Sequence, residues 1–63
     1  MCLSTVMQYH EDPAEAVSVY QSITNLEIQE DTVVFTDLFG DEHRLRGVVT
    51  KVDFVSGNVY VAV

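Results

Sequence analysis

Residues 32–47, TVVFTDLFGDEHRLRG, decide the fold. The segment Thr32–Phe39 is β-branched and aromatic, and its apolar side chains fall on both faces. A strand of that kind belongs at the centre of a sheet or in the seam of a dimer. Gly40-Asp41-Glu42 then reads as a turn. Beyond it, Leu45 lies between Arg44 and Arg46, so odd positions point inward. Further on, Val48, Val52 and Phe54 place even positions inward, with Lys51 and Asp53 outward. The parity therefore switches, and Gly47 is the residue that tolerates a switch. One extra residue in a strand turns every later side chain to the other face. A bulge or sharp bend is expected at Gly47, letting one long strand serve two faces of a small barrel.

Working outward, the same alternation recurs between regular turns. Residues 2–9 alternate weakly and read as a strand. His10-Glu11-Asp12-Pro13 is a polar turn. Asp12-Pro13-Ala14-Glu15 has the form of a helix start, with Asp as the cap and Pro in the first turn. Val17-Ser18-Val19-Tyr20 alternates again, which limits any helix to one turn around Pro13–Ala16. In Thr24–Gln29, the residues Thr24, Leu26 and Ile28 share one face. Glu30-Asp31 is a tight hairpin position. Ser56-Gly57-Asn58 is the last turn, followed by Asn58–Val63 with Val59, Val61 and Val63 inward. Five to six short strands without a convincing helix predict an all-β chain: one small antiparallel β-barrel domain over residues 1–63.

Size and charge narrow the function. A chain of 63 residues, 48% of them apolar, has little surface to bury alone and more apolar side chains than its core needs. Its single cysteine excludes an intrachain disulfide, leaving a metal or self-association as the staple. A homodimer is expected, with Val33 and Phe35, or Val34 and Leu38, facing the second subunit. The net charge is −7, with three basic residues, Arg44, Arg46 and Lys51. Nucleic-acid binding draws its affinity from cations set against phosphates, so that class is disfavoured. The charge suits a cation ligand or a basic partner surface, and equally plain solubility. Residues 1–9 lack a basic start and a long apolar run, and no stretch approaches a membrane span. A reducing, cytoplasmic setting is expected.

The most concentrated chemistry is at Cys2. Its thiolate, its own amide nitrogen and the amine of Met1 are consecutive donors that close two five-membered chelate rings on one ion. Amine, amide and thiolate suit square-planar Ni(II). The alternative is that Cys2 is a small buried hydrophobe, as most free cysteines are. A fourth donor would come most simply from a second Cys2 across a dimer axis. His10 and His43 lack zinc-type spacing and read as surface residues in turns. Along a straight strand His10 is about 26 Å from Cys2, out of reach as a co-ligand. The pairs Glu11-Asp12 and Asp41-Glu42 read as solvated turns, since paired carboxylates need a cleft to do catalysis. Arg44 and Arg46 share an outward face and balance nearby acids. No residue set suggests an enzyme.

Met1-Cys2, the stretch VVFTDLFGDEHRLRG (Val33–Gly47), the following Val48–Phe54 strand, the Ser56-Gly57 turn and the apolar end together resemble the CooT family of small nickel-binding proteins. The resemblance implies a homodimer of Sm-like or SH3-like barrels that binds nickel through Cys2. It also implies a metallochaperone role, supplying Ni(II) to a client enzyme such as carbon monoxide dehydrogenase. Two other readings stay open: an Sm-like RNA-binding module, and an acidic subunit that docks a larger protein.

Overall fold

The computed structural model describes residues 3–63; Met1 and Cys2 lie outside them. Six strands follow one another: β1 (Ser4–Tyr9), β2 (Val17–Gln29), β3 (Thr32–Asp37), β4 (Glu42–Arg46), β5 (Val48–Asp53) and β6 (Asn58–Ala62). They form one sheet in the order β4-β3-β2-β1-β6-β5. All neighbours are antiparallel except β1 and β6, which run parallel with Val6 beside Val59. A single 3-10 turn, Pro13–Glu15, precedes β2. It starts as the sequence predicts, with the Asp12 carboxylate accepting the Ala14 N–H and Pro13 supplying a fixed φ.

The all-β expectation holds; the closed barrel does not. Strands β4 and β5 are the two edges of the sheet, and no ladder joins them. Yet only Gly47 separates them in sequence. Six flat strands would span about 24 Å, whereas two residue steps cover about 7 Å. The sheet must therefore curl until its edges meet at one corner, like a barrel left open along its seam.

The core lies inside that curl. Val6, Ile23, Val33, Phe35, Val59 and Val61 form it, with Val19, Tyr20, Leu26, Leu45 and Val49 packed around them. Val33 and Phe35 thus enter the chain's own core. Val34, on the opposite face between Glu27 and Arg44, is also buried within the single chain. The buried triplet shows a strand covered on both faces, as read from residues 32–39, but β3 is next to the edge strand β4 and ends at Asp37. Leu38 and Phe39 instead form an exposed turn.

The parity reading needs correction. Gly47 is a bend, as expected, but Val48 is 63% exposed and Val49 is the residue packed on the core. Inward parity passes through Gly47 unchanged, from Leu45 to Val49. The switch comes three residues later, where the β5–β6 register slips between Val49 and Lys51. Beyond the slip Val52 lies opposite Val59 and so shares its face, but at 43% exposure it stays outside the core. Phe54 belongs to the next turn and is 89% exposed. A similar irregularity between Ile23 and Asn25 corrects β2: Ile23 is buried and Thr24 exposed. Val17–Tyr20 and Thr24–Gln29 are one continuous strand, with Ser22 at a positive φ of 57°. Val59 and Val61 are buried as expected, while Val63 is partly exposed.

Glycine is required at position 47 for space. Its φ is not in the left-handed region; a Cβ there would run into the carbonyl oxygen of Ala62 and crowd the Val61 side chain. The corner closes because two backbones touch. Gly47→Val is therefore expected to cost about 1–3 kcal/mol by overpacking, measured as a shift in urea midpoint at unchanged slope. A loss under about 0.5 kcal/mol, the range of an ordinary surface change, would show that the corner tolerates a side chain.

Candidate functional site

Met1 and Cys2, the ligands expected from the sequence, lie outside the described residues; the described chain begins beside them, at Leu3. Two turns abut this end of β1. The turn after β5 reaches it directly: the Thr5 N–H donates to the Gly57 carbonyl at 2.8 Å. The turn after β3 reaches it through β2. The Leu38 N–H donates to the Ser22 carbonyl at 2.8 Å, and the neighbouring Ile23 pairs with Ser4.

The two turns are built alike. In each, an aspartate ends the strand and its carboxylate accepts backbone N–H groups from the turn. Asp37 Oδ1 takes those of Phe39 and Asp41; Asp53 Oδ1 takes those of Val55 and Ser56. A glycine at positive φ follows, Gly40 at 90° and Gly57 at 77°, where other residues are strained. Between aspartate and glycine each turn presents apolar side chains to solvent. Leu38 and Phe39 are 57% and 83% exposed, and Phe54 and Val55 are 89% and 100% exposed. Two apolar tips, with partly exposed Leu3, flank the end of the described chain that leads to Cys2.

Asp37 has a second attachment. Its Oδ2 lies 2.8 Å from Nε2 of His43. The His43 ring stacks on Tyr20, centroids 4.6 Å apart, and Tyr20 tilts against Phe35 at 6.1 Å. Strands β2, β3 and β4 are thereby tied to the Leu38–Phe39 tip. The bond from His43, reinforced by the Asp41 and Phe39 amides, lowers the Asp37 pKa below its ordinary value, against a smaller effect of burial. Asp53 is also lowered, chiefly by the Ser56 and Val55 amides. His43 was expected in a surface turn; it sits in β4 and is half-buried.

The other candidates do not converge. His10, Glu11, Asp12, Asp41 and Glu42 are all exposed. Among the described residues no group of three or more His, Cys, Asp or Glu side chains is placed to hold a metal ion. Arg44 pairs with Glu42 and Arg46 with Asp31, as charge balance predicts. The tip-forming roles of Asp37 and Asp53 were missed. Their signal is present as DLFG and DFVSG, an aspartate and two apolar residues ahead of a glycine.

With this geometry in view, the comparisons with known proteins are specific. The family model described as CO dehydrogenase accessory protein CooT matches residues 1–62. Among solved structures, the chain is similar to the crystal structure of a CooT candidate from Carboxydothermus hydrogenoformans, with a TM-score of 0.82 at 11% identity. That match covers 97% of this chain and 95% of the other, and at such low identity it establishes the shared fold. No curated protein matches.

The Asp37 linkage has a definite sign. A carboxylate whose pKa is lower folded than unfolded contributes stability above the unfolded value, and loses it as pH falls through the folded one. Acid unfolding of the wild type should therefore include a component below about pH 4, the ordinary carboxylate range, that is absent from Asp37→Asn. The check is the urea midpoint against pH for both proteins. Parallel curves from pH 7 to pH 3 would show that the turn does not draw on this charge.

Proposed function

Because the chain belongs to the CooT family of CO dehydrogenase accessory proteins, we propose that it carries Ni(II) to a nickel-dependent client, carbon monoxide dehydrogenase itself, and performs no covalent chemistry. The observation that carries this reading is the family match over residues 1–62, which includes the Met1-Cys2 start. The donor set supports it. Cys2 is the single thiol of the chain, and among the described residues nothing else gathers three metal-binding side chains. The Cys2 thiolate and amide nitrogen and the Met1 amine are the donors, suited to a square-planar ion.

The chain acts as a homodimer holding one nickel ion, with a second Cys2 completing the donor set. The two exposed tips beside the start of β1 support self-association at that end, because apolar side chains gathered on a small protein favour being covered. Twofold symmetry would bring the same patch and the same chain end together. A cytoplasmic setting fits a free thiol, and no helix among the described residues is long and apolar enough to cross a membrane. The RNA-binding alternative is weakened by the placement of the cations. Arg44 and Arg46 are spent in ion pairs, and the Lys51 ammonium lies 5.4 Å from the centre of the Tyr60 ring.

Nickel titration of wild type and Cys2→Ala tests the site, followed through ultraviolet thiolate-to-metal absorption. The wild type is expected to bind one nickel per two chains. Affinity should fall as pH drops, because thiol and amine must lose protons to bind. In Cys2→Ala the absorption band is expected to vanish; unchanged affinity there would move the site to His10 and His43. Sedimentation with and without nickel tests the shared site, since an ion bound only by the dimer stabilises it. A micromolar monomer holding one nickel per chain would exclude sharing while leaving nickel binding intact.

A further inference from the structure

On the outer face of the sheet, away from the two tips, lies a shallow groove that the nickel role does not use. Tyr9, Pro13, Ala14, Thr50, Lys51 and Tyr60 line it. The sequence puts them together through three elements. Tyr9 ends β1 and lies beside Ala62 of β6, while Tyr60 lies opposite Lys51 of β5. The 3-10 turn returns Pro13 and Ala14 over this surface. The wall is held in shape: the Tyr9 hydroxyl donates to Thr50 Oγ1 at 2.8 Å, and Thr50 Oγ1 donates to the Tyr60 carbonyl at 3.4 Å. Lys51 rests over the Tyr60 ring.

Tyr9 also borders a second concavity, lined by His10 and Val17 and by the acids Glu11, Asp12 and Glu15. These three carboxylates are exposed, and among the described residues no cation pairs with them; the ion pairs of Asp31, Asp37 and Glu42 lie elsewhere. The surface is therefore polarised, with tyrosine rings, a proline and Lys51 on one side of Tyr9 and three carboxylates outside any ion pair on the other.

We propose that this groove docks a proline-rich, positively charged segment of a partner protein, with proline against Tyr9 and Tyr60 and arginine or lysine against Glu11 and Glu15. Two constraints select that occupant. The groove is small, so a flexible peptide would lose more in ordering than it gains in contact. A polyproline II segment is already extended and loses little, and its ridged surface fits aromatic-lined grooves. The carboxylates then set the sign of the flanking charge: cationic residues are drawn in and acidic ones repelled. Nothing in this inference depends on nickel, so it stands apart from the metal-carrier reading.

The test is a chemical-shift titration of the isotope-labelled full-length chain, without nickel, using three peptides of equal length. One is proline-rich with two arginines, the second replaces the arginines by glutamates, and the third replaces the prolines by alanines. The arginine–proline peptide is expected to move the amides of Tyr9, Ala14, Thr50, Tyr60 and Glu15 and to lose affinity with salt. The other two should bind more weakly. Tyr60→Ala is expected to weaken binding about tenfold, and Glu11→Gln with Glu15→Gln about fivefold, with a flatter salt response. Because Tyr60→Ala removes a half-buried ring, Lys51→Glu serves as the gain-side variant, tightening binding about twofold by extending the negative field. Equal binding of the glutamate peptide, no shifts at millimolar peptide, or shifts confined to Phe39 and Phe54 would each overturn the proposal. So would peptide-free shifts at the groove that grow with protein concentration, which would assign it to a second copy of the chain.

Discussion

The backbone of Gly47 lies against that of Ala62, and the rest of the architecture depends on this contact. It makes a single residue sufficient to carry the chain from one edge of a six-stranded sheet to the other. That short link forces the sheet to curl, and the curl creates an inside for Val6, Ile23, Phe35 and Val61 to fill. Without close approach at the corner, β4 and β5 would splay and the core side chains of β3 and β6 would lose each other. A small sheet gains a core here by bending on itself, in place of a second layer.

What was legible in the sequence were the features that local chemistry fixes. Asp12-Pro13 gave the 3-10 turn, Glu30-Asp31 the hairpin, and Val33-Val34-Phe35 the strand buried on both faces. The importance of Gly47 was also readable, but for a different reason: an alternation argument implied unusual backbone angles, whereas the constraint is space against a strand distant in sequence. Alternation could not locate the slip between Val49 and Lys51 either. A bulge is a property of a strand pair, and the partner, β6, is not written beside β5's own residues. The curled but open sheet was out of reach for the same reason, since closure depends on the mutual placement of strands at opposite ends of the chain.

The functional reading divides along similar lines. Cys2 stands out chemically because it is the single thiol, and its place next to Met1 suggests a chelate. The surroundings of that chain end were not foreseen. Leu38 was read as part of a strand face that meets a second subunit, and Phe54 as an inward residue of its strand. The structure instead spends them in two aspartate-capped turns that hold apolar side chains outward. His43 was read as a surface residue, and its stacking on Tyr20 required β2 and β4 to meet across β3. As a result, four apolar side chains, Leu38, Phe39, Phe54 and Val55, stand exposed at the end of the described chain that leads to Cys2.

The parallel pairing of β1 with β6 adds a restriction in time. Every other strand pairing joins neighbours in the sequence, so those hairpins can assemble as soon as their turns form. Strand β1 gains its second flank only when the last strand arrives, after nearly the whole chain is available. Contacts of that range are slow to form. The strand beside Cys2 is thus the last to be fixed on both sides, and the Gly57 turn that braces it belongs to the same late step. During synthesis, the first described strand waits on residues near the other end of the chain before it is paired on both sides.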